Sequence, residues 1–233
     1  MTTIAPHCAP PAAPPEPVAP PESVKAPEVS SWRLLSTLGI AGAAAGLLVV
    51  AVYRATLPTI ERYAAAKEAG AVREVLAAPA RWDTLYLVKG VLTKSVASAD
   101  EKKTLPHAYL GFDAAGKPTG AAITAQEPGF QEEVLLMIGF EPASGRIIGF
   151  KVLDEKETPG LGDKIERDSS FGAQFAGRIA PITGVKGRAP SDAHQVQTIT
   201  GATISSRAVI RIIDHAIEKW QPLLLAYAKR GGA

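Results

Sequence analysis

The sequence predicts an α+β chain: a single N-terminal transmembrane helix, then one domain with an antiparallel sheet flanked by helices. Three observations carry this. Leu34 to Val52 is apolar throughout, apart from Ser36 and Thr37. From Tyr109 onward apolar residues alternate with a period of two, in segments joined by turn residues. After a hydroxyl-rich stretch at residues 200–206, Val209, Ile212, Ile213, Ala216, Ile217 and Trp220 recur at helical spacing.

Composition narrows the classes of function. The 233 residues are 46% hydrophobic with a formal net charge of +2, which makes no electrostatic case for nucleic acid. The one cysteine, Cys8, excludes an internal disulfide, an iron–sulfur cluster or a cysteine-rich zinc site. His7, His107, His194 and His215 fall at no metal-ligand spacing, so no metal site is predicted.

In chain order, residues 1–31 are rich in Pro and Ala and are expected to be a disordered tail. Residues 32–54 form the expected transmembrane helix. The apolar run spans about 28 Å at 1.5 Å per residue, close to the hydrocarbon thickness of a bilayer. Trp32-Arg33 and Tyr53-Arg54 flank it as interfacial residues. The long proline-rich leader and the missing Ala-x-Ala site fit a cleaved signal peptide badly. Gly42 and Gly46 make a Gly-x-x-x-Gly pair, a pattern that lets a second helix approach and that also arises by chance in alanine-rich helices.

Residues 55–80 are expected to be a linker helix, running from Thr59 to Ala78 and stopped by Pro79, with Ile60, Val72, Val75 and Leu76 as core contacts. The domain then spans 81–233. Tyr86, Val88, Val91 and Leu92 suggest a strand, and 99–103 a solvated loop. Tyr109–Phe112 and Gly120–Ala125 form one expected hairpin. Val134–Phe140 and Arg146–Leu153, around the turn Pro142-Ala143-Ser144-Gly145, form a second. The acidic pairs Glu132-Glu133 and Asp154-Glu155 are weak candidates for acid/base dyads and read instead as solvated loop ends. A short helix is expected over Ser169–Arg178 around Phe171 and Phe175, with a loop or strand at Val185-Lys186-Gly187. The last helix is expected from Ile204 to about Trp220, kinked or broken by Pro222.

Two short stretches carry the chemistry. Thr200-Gly201-Ala202-Thr203-Ile204-Ser205-Ser206 lies where the last helix begins. Helix N-termini present unpaired N–H groups and the positive end of a dipole, which suits a phosphate; Ser and Thr are also ordinary helix caps. Glu157-Thr158-Pro159-Gly160-Leu161-Gly162 is a tight loop. Its Gly160-Leu161-Gly162 lacks the third glycine of a dinucleotide fingerprint.

Val196 to Val209, centred on Thr200-Gly201-Ala202-Thr203, resembles the flavinylation motif of the FMN-binding domain family, and the 157–162 loop matches that family's Glu-Thr-Pro-Gly-Leu-Gly loop. By pattern the chain resembles the G subunit of the Rnf (Rsx) ion-translocating electron transport complex, with the C subunit of the sodium-pumping NADH:quinone reductase as near cousin. The resemblance implies one FMN per chain, held covalently as a phosphodiester on Thr203. The backbone and hydroxyls of Thr200, Gly201, Ala202, Ser205 and Ser206 would surround the phosphate. Thr158, Pro159, Gly160, Leu161 and Gly162 would border the isoalloxazine ring. Lys186 reads first as a surface lysine, and alternatively as a cation facing the pyrimidine edge of the ring, where it would stabilise the reduced anionic flavin. The family usually has Asp where this chain has Gln197.

No base is apparent beside Thr203, so a separate flavin transferase is expected to attach the cofactor, and no catalytic residues are assigned. The implied protein is a redox subunit of a complex in the bacterial inner membrane, partnered by other membrane subunits, with its flavin domain on the periplasmic side. The alternatives are the quinone-reductase C subunit and a cofactor-free, single-pass assembly or sensor protein.

Overall fold

Residues 30–96 and 98–231 are described by a computed structural model. They fall into two units, Met1–Thr56 and Leu57–Ala233. The predicted tail lies outside the described residues except at its last two positions. Helix α1 (Ser31–Val75) begins in the first unit. It is long and apolar enough to cross a membrane, and none of its apolar window is buried within the protein. Leu34, Leu38, Ile40, Leu47 and Val49 all stand exposed, as suits side chains whose solvent is lipid.

The linker helix expected to begin afresh at Thr59 is the continuation of α1, with Pro58 inside it. The helix ends at Val75, three residues before the predicted end. Ala77 and Ala78 take left-handed φ values of 52° and 59°, and the Ala78 N–H returns to the Arg73 carbonyl at 2.7 Å. Val72, Val75 and Leu76 are buried as expected, whereas Ile60 is 54% exposed and contributes nothing to the core.

Six strands follow: β1 (Arg81–Val88), β2 (Val91–Thr93), β3 (His107–Phe112), β4 (Pro118–Pro128), β5 (Glu133–Glu141) and β6 (Arg146–Asp154). They form one sheet in the order β2-β1-β3-β4-β5-β6, and every neighbouring pair is antiparallel. Both predicted hairpins are present. The predicted loop at 99–103 is instead helix α2 (Ala99–Thr104), capped by the Ser98 hydroxyl, which accepts from the Glu101 N–H at 3.1 Å. Beyond the sheet come α3 (Lys164–Arg167), α4 (Ser169–Ala173), β7 (Thr183–Val185), β8 (Gln195–Gln197) and α5 (Thr203–Lys229). Strands β7 and β8 pair in parallel as a separate ribbon. Helix α4 is shorter than the 169–178 segment predicted, yet Phe171 and Phe175 both bury as expected.

The sheet is covered on two sides. One cluster joins Leu110, Ile123, Ile138 and Phe140 to Phe171, Phe175 and the buried stripe of α5. The other packs Ala71, Val72, Val75 and Leu76 from the end of α1 onto Ala122 and Met137. The α1 side also carries polar ties. Glu74 pairs with Lys151 at 3.2 Å, and His107 Nε2 meets both Glu68 Oε1 at 3.2 Å and the Tyr109 hydroxyl at 3.1 Å. The Glu68 hydrogen bond lifts the His107 pKa above its ordinary value against the opposing effect of burial, and the same bond draws the Glu68 carboxyl down.

Helix α5 runs through Pro222 to Lys229 rather than stopping near Trp220. Trp220, Leu224 and Tyr227 continue its buried stripe at helical spacing, and Gln221 Nε2 donates to the Pro142 carbonyl at 2.9 Å. This packing outweighs the one hydrogen bond that proline removes.

Candidate functional site

The two chemistry-bearing stretches meet. A cleft of about 400 Å³ is lined by Phe130, Thr158, Leu161, Gly162, Lys186 and residues Thr200 to Ser205. That volume lies within the range of small-molecule sites. Nine of the twelve sequence-predicted site residues therefore line one cleft: Thr158, Leu161, Gly162, Lys186, Thr200, Gly201, Ala202, Thr203 and Ser205. Pro159 and Gly160 form the exposed outer bend of their loop. The loop coils about the Thr158 carbonyl, which accepts from Leu161 at 3.1 Å and Gly162 at 3.0 Å.

The start of α5 is built by its preceding turn. The Thr198 N–H bonds the Val185 carbonyl at 2.8 Å, and Ala202 N–H reaches the Ile199 carbonyl at 3.1 Å. Gly201 sits at φ 87°, a conformation open to glycine and strained for other residues. Ala202 is the N-cap and offers no side-chain cap, and the first turn carries no acidic residue. The N–H groups of Thr203, Ile204 and Ser205 thus face the cleft end of a long helix without a capping side chain.

The four hydroxyls of this stretch divide into two pairs. Ser206 is fully buried; its hydroxyl donates to the Ala202 carbonyl at 2.8 Å and accepts from the Ile199 N–H at 3.1 Å. It fastens the turn and does not reach the cleft, contrary to the expectation that it would face a phosphate. Ser205 lines the cleft, but its hydroxyl donates to Glu157 Oε2 at 2.9 Å. The hydroxyls of Thr200 and Thr203 have no hydrogen-bond partner among the described residues. Thr200 is exposed, and Thr203 is half-buried at the first position of the helix.

The remaining walls are apolar. Phe130, Leu161 and Ile204 are large side chains standing exposed around the cleft, at 59%, 49% and 57%. The sequence pattern assigned no role to Phe130 or Ile204. The available signals were an aromatic residue after Pro128-Gly129 in a polar loop, and an isoleucine off the buried stripe of α5. Lys186 is the cation on the wall, just past the end of β7. A flat apolar ring fits between such walls, and a phosphate fits the helix end, so the residues present suit FMN. Gln197 is held through its backbone: its N–H donates to Gln174 Oε1 at 2.7 Å.

The strand that leads to Lys186 is fixed from α5. Both carboxylate oxygens of Asp214 accept the Ile182 N–H, at 2.9 and 3.0 Å. Burial raises the Asp214 pKa to about 6, against the lowering effects of that N–H and of His215. Because the folded value lies above the unfolded one, its stabilising contribution is complete below pH ~4 and is lost as pH rises through ~6. Asp214→Asn keeps an acceptor for Ile182 and removes the titration. Its stability relative to wild type is expected to rise by about 1 kcal/mol between pH 4.5 and 7.5, after discounting for solvent screening. Thermal melts at the two pH values check this, and parallel curves for the two proteins would refute it.

Comparison with known proteins places this geometry. The family model for the FMN-binding domain matches residues 129–218. The chain is 26% identical over 186 residues to the G subunit of the ion-translocating oxidoreductase complex of Methanosarcina acetivorans, covering 80% of this chain and 92% of that protein. It is 29% identical over 200 residues to the G subunit of the Na(+)-translocating ferredoxin:NAD(+) oxidoreductase complex of Acetobacterium woodii, covering 82% and 94%. The corresponding ion-translocating oxidoreductase subunit of Shewanella baltica is 36% identical over 113 residues, which span 47% of this chain and 52% of that protein. Among solved structures, that of Shewanella oneidensis NqrC superposes with a TM-score of 0.53 at 20% identity, covering 66% of this chain and 88% of that one. The last likeness speaks for the fold alone.

Proposed function

We propose that this chain, whose residues 129–218 match the FMN-binding domain family, is the G-type subunit of an Rnf-like ion-translocating oxidoreductase complex, relaying electrons through one FMN bound covalently at Thr203. The observation that carries the reading is the state of the Thr203 hydroxyl. It lies at the first residue of α5, in the cleft, without a hydrogen bond among the described residues, while its neighbours Ser205 and Ser206 are engaged elsewhere.

No imidazole or carboxylate hydrogen-bonds the Thr203 oxygen among the described residues, and an unassisted threonine hydroxyl is a weak nucleophile. Attachment is therefore the work of a separate transferase acting on FAD. The Thr203 Oγ1–phosphorus bond forms, the pyrophosphate P–O bond breaks, AMP leaves, and the hydroxyl proton passes to the transferase. The N–H groups at the head of α5 would then stabilise the charge of the phosphodiester. Phe130, Leu161 and Ile204 would shield a ring in the cleft from water, and Lys186 would supply a positive charge beside it. When bound, FMN supplies the electron-transfer chemistry, and the protein positions it.

The apolar part of α1 anchors the domain to the bacterial inner membrane, with the flavin domain on the periplasmic side and other subunits of the complex as partners. The near full-length agreement with the Methanosarcina and Acetobacterium relatives favours the G-type subunit over a quinone-reductase C subunit. Intact-mass analysis of the chain, co-produced with a flavin transferase, tests the reading. A gain of FMN minus water is expected, with in-gel fluorescence that survives denaturation; an unshifted mass refutes it.

A further inference from the structure

Glu157 opens the 157–162 loop, but nothing in the sequence pattern alone gives it a role. It is 5% exposed, and its carboxylate gathers three segments of chain. Oε1 accepts from the N–H groups of Phe130 at 2.7 Å and Gln131 at 3.2 Å. Oε2 accepts from the Ser205 hydroxyl at 2.9 Å. Two glycines leave room for it. A Cβ on Gly162 would lie 2.5 Å from Oε2 and 3.0 Å from Ser205 Oγ, and one on Gly129 would overlap Oε1. Phe130, Gly162 and Ser205 all line the cleft, so the carboxylate sits directly behind its wall.

We propose that Glu157 is a positioning residue for the flavin: one buried carboxylate fixes the Phe130 wall, the Leu161 loop and the head of α5 at a set spacing. This rests on the flavin reading above and extends it to a residue that does not itself line the cleft. The three walls come from segments far apart in sequence, and among the described residues Glu157 is the side chain that hydrogen-bonds to both of the others. Without it, two loop N–H groups lose their acceptor, and the Phe130 loop and α5 lose their shared tie. The effect on a bound ring is a loss of orientation, which differs from a loss of the fold.

Glutamine separates geometry from charge. In Glu157→Gln the amide oxygen still accepts from Phe130 and Gln131, and the amide nitrogen donates to Ser205 Oγ, whose hydroxyl turns from donor to acceptor. The full-length chain in detergent, co-produced with a flavin transferase, is read by intact mass and by the visible circular dichroism of the bound flavin. Glu157→Ala is expected to lower the modified fraction or the flavin dichroism on the order of tenfold. Glu157→Gln is expected to restore both. Gly129→Ala, whose Cβ would overlap Glu157 Oε1 and also crowd Val134 Cγ2 at 2.8 Å and the Glu132 carbonyl oxygen at 2.9 Å, is expected to reproduce the alanine effect in part. A loaded Glu157→Ala or Gly129→Ala protein with wild-type dichroism overturns the proposal. So does a Glu157→Gln protein as impaired as the alanine variant. An unmodified wild type instead overturns the flavin reading, and this inference with it.

Discussion

Thr203→Ala is expected to abolish covalent flavin entirely: the chain co-produced with a flavin transferase keeps its unmodified mass, and its denatured gel band is dark. The size of the effect follows from chemistry. The phosphodiester needs a hydroxyl oxygen, and alanine has none. Thr203→Ser retains the oxygen at the same helix position and is expected to be modified. Thr200 is the rival site, since its hydroxyl likewise has no hydrogen bond among the described residues. It is exposed, however, and precedes the left-handed turn at Gly201, whereas Thr203 sits half-buried on the first turn of α5. Thr200→Ala is therefore expected to leave the mass gain in place. If the gain survives in Thr203→Ala and vanishes in Thr200→Ala, the assignment of the attachment point is wrong. Neither substitution touches the buried core, so far-ultraviolet circular dichroism of both is expected to match wild type.

Much of this site was legible because it is made of contiguous short stretches. A glycine that takes positive φ, hydroxyls before an amphipathic helix, and a Pro-Gly loop each announce themselves locally. What local reading could not supply was the direction of each side chain. Ser205 and Ser206 look equivalent to Thr200 and Thr203 as hydroxyls, but one bonds Glu157 and the other closes the turn at Ala202. Phe130 joins the site only through the loop that Glu157 gathers, a contact spanning 27 residues.

The sheet was legible for a similar reason, since alternation and turn residues define antiparallel hairpins without long-range information. Two of the misread helices each contain a proline. Pro58 and Pro222 are strong local breakers; α1 nonetheless runs through Pro58 along an exposed stretch, and packing of the stripe Trp220, Leu224, Tyr227, in plain view in the sequence, carries α5 past Pro222. The helix at Ala99–Thr104 was announced by Ser98 and Glu101 at capping-box spacing, a signal masked by the charged composition of the segment.

Gly139→Ala is expected to be the most destabilising single methyl in the Leu57–Ala233 unit. Gly139 lies in β5 opposite Gly149 of β6, and the end of α1 crosses the sheet at this pair. A Cβ on Gly139 would overlap the Val75 carbonyl oxygen and lie 2.7 Å from the Val75 carbonyl carbon and 3.0 Å from its Cβ. The two closest are backbone atoms at the last turn of α1, so no rotamer change relieves the clash. The helix end must lift, and with it Val72, Val75 and Leu76, which are packed on Ala122 and Met137. Overpacking of this kind costs about 3 kcal/mol, or roughly 6–12 °C in melting temperature for a unit of this size. Gly149→Ala is the internal control. Its Cβ would meet Val75 at 3.9 Å, an ordinary contact, and it lies in the same sheet at the same crossing. Its melting temperature is expected to stay within about 2 °C of wild type, because a methyl in ordinary van der Waals contact adds neither strain nor a cavity. Thermal melts of the full chain in detergent compare the pair. Equal melting temperatures for the two variants would mean that α1 does not seat on the sheet through this glycine, and the role given to its last turn would fall.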